Sequence, residues 1–196
     1  MTADCGLEHI GVAPDRRGYI AVDDHMRTSA EGVYAIGDIT GKIQLAHVAT
    51  AQGMIAAANC AGRDAAMDYN CVPSCIYTAP EIAMVGLTQA QAEQQGYRVR
   101  IGMFNIAANG RCMVMDENQG LIKLVADAET GKILGGQIMA PRATDMIAEI
   151  AAVMRHGGTV KSLSDVIHPH PTVSEIIAEA AHDAEGLCIN AMPRKM

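Results

Sequence analysis

The residues best suited to chemistry lie close together near the end of the chain, in His168-Pro169-His170-Pro171-Thr172-Val173-Ser174-Glu175. Proline fixes its own φ and drives the residue before it away from helical geometry, so Pro169 and Pro171 hold both histidines in a rigid, non-helical loop. His170 then sits just ahead of a helix start, with Glu175 in that helix's first turn. From there a carboxylate can turn back onto an imidazole nitrogen and fix its tautomer, the arrangement an acid–base catalyst needs. Thr172-Val173-Ser174-Glu175 is equally a capping box, in which Glu175 merely satisfies backbone N–H groups. Spacing leaves both readings open. No ligand set of the usual spacing completes a zinc site around His168 and His170, so no metal is expected.

A second candidate lies earlier. Val33-Tyr34-Ala35-Ile36-Gly37-Asp38 reads as a short buried strand stopped by Gly-Asp. Asp38 would then stand at the carboxyl edge of an α/β layer, where ligands usually meet such sheets, as an acceptor for sugar-like hydroxyls or as an Asx turn. The helix beginning near Leu45, Ala46 and His47 offers free backbone N–H groups and a positive dipole end to an anion or electron-rich carbonyl. The cysteines suggest less. Cys71 and Cys75 have three residues between them and lead into an apolar strand, so buried placement is the simpler reading.

Composition sets the limits. The chain has 196 residues, 49% of them hydrophobic and 19% charged, which excludes disorder and calls for a buried core. Its formal net charge of −7 argues against nucleic acid or an anionic membrane as partner. Aromatics are only 3% of residues, too few for the stacking platforms of single-strand binders. The core must be aliphatic, supplemented by 13 methionines. No run approaches the length needed to span a bilayer, and six scattered cysteines do not make a disulfide scaffold. A cytoplasmic protein with reduced thiols is expected.

The elements that must position these residues fall into two regimes. Residues 1–70 carry the Gly-Asp turn and a small-residue helix from about Gln44 to Cys60, the parts of a nucleotide-binding α/β layer. Residues 71–196 alternate strands and turns: Cys75–Thr78, Ile82–Gly86, Val99–Ile106, Leu121–Asp127 and Ile133–Ala140. Helices are expected over Gln89–Gln95, Ala143–His156, Val160–Asp165 and from Thr172 to before Gly186. The fold class is therefore α+β, an antiparallel sheet with flanking helices.

Taken together, four stretches resemble the flavin-dependent pyridine nucleotide–disulfide oxidoreductases, and within them the dihydrolipoamide dehydrogenases most closely. Thr28–Asp38 followed by Leu45–Ala49 looks like the family's second flavin motif. Pro73–Thr88 resembles the opening of its dimerisation, or interface, domain. Pro141–Glu149 and His168–Glu175 complete the match. The resemblance implies a tail of an FAD-binding α/β domain over 1–70 and a dimerisation domain over 71–196. It also implies that Asp38 binds the ribityl chain of FAD, and that the amides of Leu45, Ala46 and His47 face the flavin pyrimidine. By the same likeness His170 is the acid–base that deprotonates a substrate thiol and Glu175 its orienting partner, acting across a homodimer interface. The substrate implied is a lipoyl-bearing protein, oxidised by NAD through FAD and a redox disulfide.

Three features of that family are missing from the sequence. No G-x-G-x-x-G occurs, so neither dinucleotide fingerprint is present, and no two cysteines are separated by four residues. The expectation is the C-terminal portion of such an enzyme, with only a partial FAD site, no NAD site and no turnover by itself. A stand-alone, non-catalytic dimerisation module is the alternative, as is part of a glutathione or mercuric reductase. The tail Gly186–Met192 carries Cys188 without the vicinal cysteine pair typical of mercuric reductases.

Overall fold

The computed structural model describes Thr2 and residues 4–192. The chain divides into two compact units, Met1–Tyr69 and Asn70–Met196. In the first, residues 4–45 form loops and two 3₁₀ turns, Leu7–Ile10 and Gly37–Thr40, followed by helix α1 (Ala46–Cys60). A small core of Val12, Ile20 and Ala35 holds the loops together. Val48, Gln52, Ala56 and Asn59 form the buried stripe of α1, one helical turn apart.

The strand expected at Val33–Ile36 is not built. A strand exists only through its partners, and here pairing is limited to one antiparallel bridge, Arg27 to Tyr34. The Ala35 amide donates to the Met26 carbonyl at 3.2 Å. The segment is extended but belongs to no sheet among the described residues.

The second unit is built on a five-stranded, fully antiparallel sheet. Its strands are β1 (Ser74–Ile76), β2 (Glu81–Gly86), β3 (Val99–Asn105), β4 (Leu121–Asp127) and β5 (Ile133–Ala140), in the order β1-β2-β5-β4-β3. Ile138 at the centre of β5 pairs with Ala83 on one side and Ile122 on the other. Side chains alternate between faces, so Ile122, Leu124 and Ala126 enter the main core while Val125 enters a small cluster with Leu134 and Ala92 on the opposite side. Short α2 (Gln89–Gln94), capped by a Thr88–Gln91 box, contributes Ala92 to that cluster.

Three helices supply most of the helical side of the main core, with Cys112 added from a short fourth. In α4 (Ala143–Arg155), Ile147, Ile150 and Met154 recur at helical spacing and pack on β2 and β5. Gly157, at φ 68°, ends that helix with its amide on the Met154 carbonyl. Helix α5 (Val160–Ser164) starts from a Thr159–Ser162 box and leads into the histidine loop. In α6 (Glu175–Ala184), Ile176, Ile177, Ala180, Ala181 and Ala184 face β3 and β4. Gly102 of β3 lets α6 approach, since a Cβ there would run into the Ala180 carbonyl oxygen. Asp183 fastens the contact by accepting the Met103 amide at 2.7 Å.

Two details depart from the sequence expectations. The last helix begins at Glu175 rather than Thr172, because residues 172–174 form a tight turn with Ile176 and Ile177 amides donating to Val173 and Ser174 carbonyls. An additional helix, α3 (Gly110–Met115), was not expected and is capped by Asn109.

Candidate functional site

Helix α6 brings Glu175 beneath the proline-fixed loop. His170 Nδ1 lies 2.8 Å from Glu175 Oε1, and the other carboxylate oxygen accepts the Thr172 amide at 2.8 Å. One carboxylate therefore performs both functions that its position allows: it caps the turn and fixes the imidazole. The His170 side chain is 78% exposed and Glu175 only 25%. Since a carboxylate accepts at Nδ1, the neutral ring presents Nε2 as a proton acceptor, open to solvent. Burial works to raise the Glu175 carboxyl, but the Thr172 amide and the His170 ring outweigh it and hold it below the ordinary value.

His168 is placed differently. Its ring is 6% exposed and points at Glu149 of α4, with Nε2 2.9 Å from Oε1. The two histidines thus engage separate carboxylates. The far side of the loop is tied by Asn109, a buried residue whose Oδ1 caps α3 through the Cys112 amide at 2.9 Å. Its Nδ2 donates to the Thr172 carbonyl at 3.0 Å. Thr172 Oγ1 closes the turn on the Pro169 carbonyl at 2.7 Å.

In the first unit, Asp38 lies in the 3₁₀ turn after Gly37, exposed and with no side-chain partner among the described residues. Gln52, fully buried in α1, sets that turn: its Oε1 accepts the Gly37 amide at 2.6 Å and its Nε2 donates to Tyr69 at 2.9 Å. Helix α1 opens at Ala46 with Leu45 in the N-cap position and no side-chain cap. The Leu45 amide is already donated to the Ile43 carbonyl at 3.1 Å. The Ala46 amide has no acceptor among the described residues, and both Ala46 and His47 face solvent.

Residues 72–181 match the dimerisation domain of the pyridine nucleotide-disulphide oxidoreductases, and residues 1–53 match that family's pyridine nucleotide-disulphide oxidoreductase domain. The chain belongs to this family. It is 46% identical over 193 residues to a dihydrolipoyl dehydrogenase of Thermus scotoductus, covering 98% of this chain and 42% of that one. A dihydrolipoyl dehydrogenase of Haloferax volcanii is 39% identical over 195 residues, 99% of this chain and 41% of the relative. The chain spans about two fifths of the length of these relatives. Among solved structures, LpdA of Mycobacterium tuberculosis superposes with a TM-score of 0.87 at 34% identity, over 92% of this chain and 40% of that one. The HOCl-induced flavoprotein disulfide reductase RclA of Escherichia coli gives 0.84 at 28% identity, over 92% and 42%.

Members of this family use FAD and a pyridine nucleotide. The exposed Asp38 carboxylate, without a side-chain partner among the described residues, and the uncapped start of α1 with its Ala46 amide are an acceptor and a donor of the kinds a polyol chain and a flavin carbonyl call for. Three positioning residues escape sequence reading: Gln52 under Gly37, Asn109 under Thr172 and Glu149 beside His168. Only Glu149 gives a signal, as a charge interrupting the apolar run of α4. Among the described residues no helix is long and apolar enough to cross a membrane.

Proposed function

We propose that this chain is the C-terminal portion of a dihydrolipoyl dehydrogenase and supplies its acid–base pair, part of its FAD site and its dimer contact. The observation that carries the reading is the His170–Glu175 pair: a ring fixed at Nδ1 by a largely buried carboxylate and open at Nε2. His170 Nε2 takes the proton from a substrate dithiol, and Glu175 carries the resulting imidazolium through the bond at Nδ1. The thiolate so formed attacks a redox disulfide elsewhere in the enzyme, breaking its S–S bond to give a mixed disulfide and an enzyme thiolate; the second substrate thiol then loses its proton, displaces the other enzyme sulfur as a thiolate and closes the substrate's own disulfide. The reduced enzyme dithiol would hold the electron pair, for which bound FAD would supply the route to NAD. Asp38 would hold the ribityl hydroxyls, and the start of α1 at Leu45, Ala46 and His47 would offer backbone amides to the flavin pyrimidine, the Leu45 amide only on leaving the Ile43 carbonyl. The pair acts in a homodimer on the other subunit's redox centre, with a lipoyl-bearing protein as substrate. A cytoplasmic setting is part of the same reading.

By itself the chain is expected to show no turnover. In the complete flavoenzyme, His170→Gln should lower oxidation of dihydrolipoamide by on the order of a hundredfold or more while leaving the flavin spectrum intact. Undiminished turnover would remove His170 from the reaction.

A further inference from the structure

From Asp165 to Pro171 every residue except His168 is exposed, and Ile167 beside it is 96% exposed. No strand partner supports this stretch, so the position of His170 depends on what anchors the loop at each end. On the far side the anchors are Asn109 and Glu175, both on Thr172. On the near side the side-chain anchor to another element is His168.

The ring of His168 has acceptors at both nitrogens. Nδ1 lies 3.1 Å from the Val166 carbonyl oxygen and Nε2 lies 2.9 Å from the Glu149 carboxylate. A carbonyl oxygen can only accept, and so can an ionised carboxylate. With Glu149 ionised, both contacts are hydrogen bonds together only if both nitrogens carry protons. We propose that His168 is held as an imidazolium at neutral pH, clamped between Glu149 and the Val166 carbonyl, and that this clamp makes it the positioning residue for His170 two residues on. The proposal rests on the reading of His170 as the acid–base.

Charge and burial agree with the clamp. The bond to Glu149 raises the His168 value above that of a free imidazole, against the burial that works to lower it. The carboxylates acting on the ring are Glu149 from α4 and Glu175 from α6. Arg111 from α3, Arg142 ahead of α4 and Asp145 in its first turn line the groove next to Glu149 and the 171–174 turn. Glu175 feels both imidazoles, so a cationic His168 also favours the ionised form of the carboxylate that holds His170.

The test is nitrogen-15 NMR of the full 196-residue chain labelled at its seven histidines, read through two-bond proton couplings between pH 5 and 9. Both His168 nitrogens should keep imidazolium shifts at pH 7, above the ordinary imidazole value of about 6.5. Glu149→Gln, which keeps an acceptor but removes the charge, should move the His168 midpoint down. In that variant the neutral His170 ring should shift from the single Nδ1–H tautomer towards a mixture, which a purely structural contact would not cause. An unprotonated His168 nitrogen at pH 7 in the wild-type chain overturns the proposal, even if Glu149→Gln fails to fold. None of these spectra depends on turnover, so loss of the His170 reading in the kinetic assay and loss of the clamp in the spectra are separate results.

Discussion

Glu175 divides its carboxylate between two partners, one oxygen 2.8 Å from His170 Nδ1 and the other 2.8 Å from the Thr172 amide. The residue that fixes the ring therefore also fixes the turn that carries it, and ring orientation cannot drift independently of the backbone. The same economy recurs at Asn109, which caps α3 and ties Thr172, and at Gln52, which sets the Gly37 turn from a helix interior.

Asn109→Ala removes a helix cap and leaves the Thr172 carbonyl without its donor. Losing the cap costs about 1 kcal/mol, and an unsatisfied buried group adds a comparable amount. Urea unfolding should show a loss of about 2 kcal/mol. A change below a few tenths would mean that water replaces both bonds.

At Gly102 the missing side chain sets the distance between α6 and β3. Gly102→Ala forces the helix carrying Glu175 outward, with a cost of about 1–3 kcal/mol typical of overpacking. The expected outcome is a lower unfolding midpoint with an unchanged denaturant slope. Wild-type stability would show that α6 does not depend on this contact.

Cys188 is shielded from reaction. Burial and the Glu179 carboxylate, which accepts its thiol at 3.1 Å, push the Cys188 value up to about 11. Because the thiolate is the nucleophile, iodoacetamide at pH 7.5 should label Cys188 on the order of a hundredfold more slowly than the exposed Cys60. Glu179→Gln should narrow that gap. Equal labelling of Cys188 and Cys60 in the wild-type chain would contradict the shielding.

Acid should loosen the segment that Glu179 gathers. Burial works to raise the Glu179 carboxyl, but the Cys188 thiol, the Asn190 amide and side chain and the Ile189 amide hold it below its ordinary value. A lowered folded value stabilises fully above the ordinary carboxyl range, near 4.3, and the contribution is lost as pH falls through the folded value. Hydrogen exchange at Ile189 and Asn190, corrected for intrinsic rates, should be flat from about pH 7 to 5 and accelerate below about 4. His168 has the opposite sign: its raised value stabilises fully below about 6.5 and is lost as pH climbs through the folded value. Exchange at Ile189 and Asn190 that is indifferent to acid would contradict the role of Glu179.

Most of the second unit was legible because its signals are local. Alternation marks β4, helical spacing marks α4, and Pro169 and Pro171 flank His170 so closely that its place before a helix follows from proline stereochemistry. The strand at Val33–Ile36 was misjudged because an apolar run stopped by Gly-Asp says nothing about whether a partner lies beside it. Helix α3 has five residues after Gly110 with no amphipathic repeat, so its stability comes from Asn109 and Cys112 in the core, which only the tertiary structure shows. Glu149 was visible as a lone charge, but its partner 19 positions away was not.

The central claim is that His170 and Glu175 act as one acid–base unit. It is tested most directly by a double-mutant cycle on dithiol-driven flavin reduction in the complete enzyme, using His170→Gln, Glu175→Gln and the pair. The expected result is a loss on the order of a hundredfold or more for His170→Gln, a smaller loss for Glu175→Gln, and little further loss when both are combined. Additive losses, or a Glu175→Gln enzyme as fast as the wild type, would contradict it.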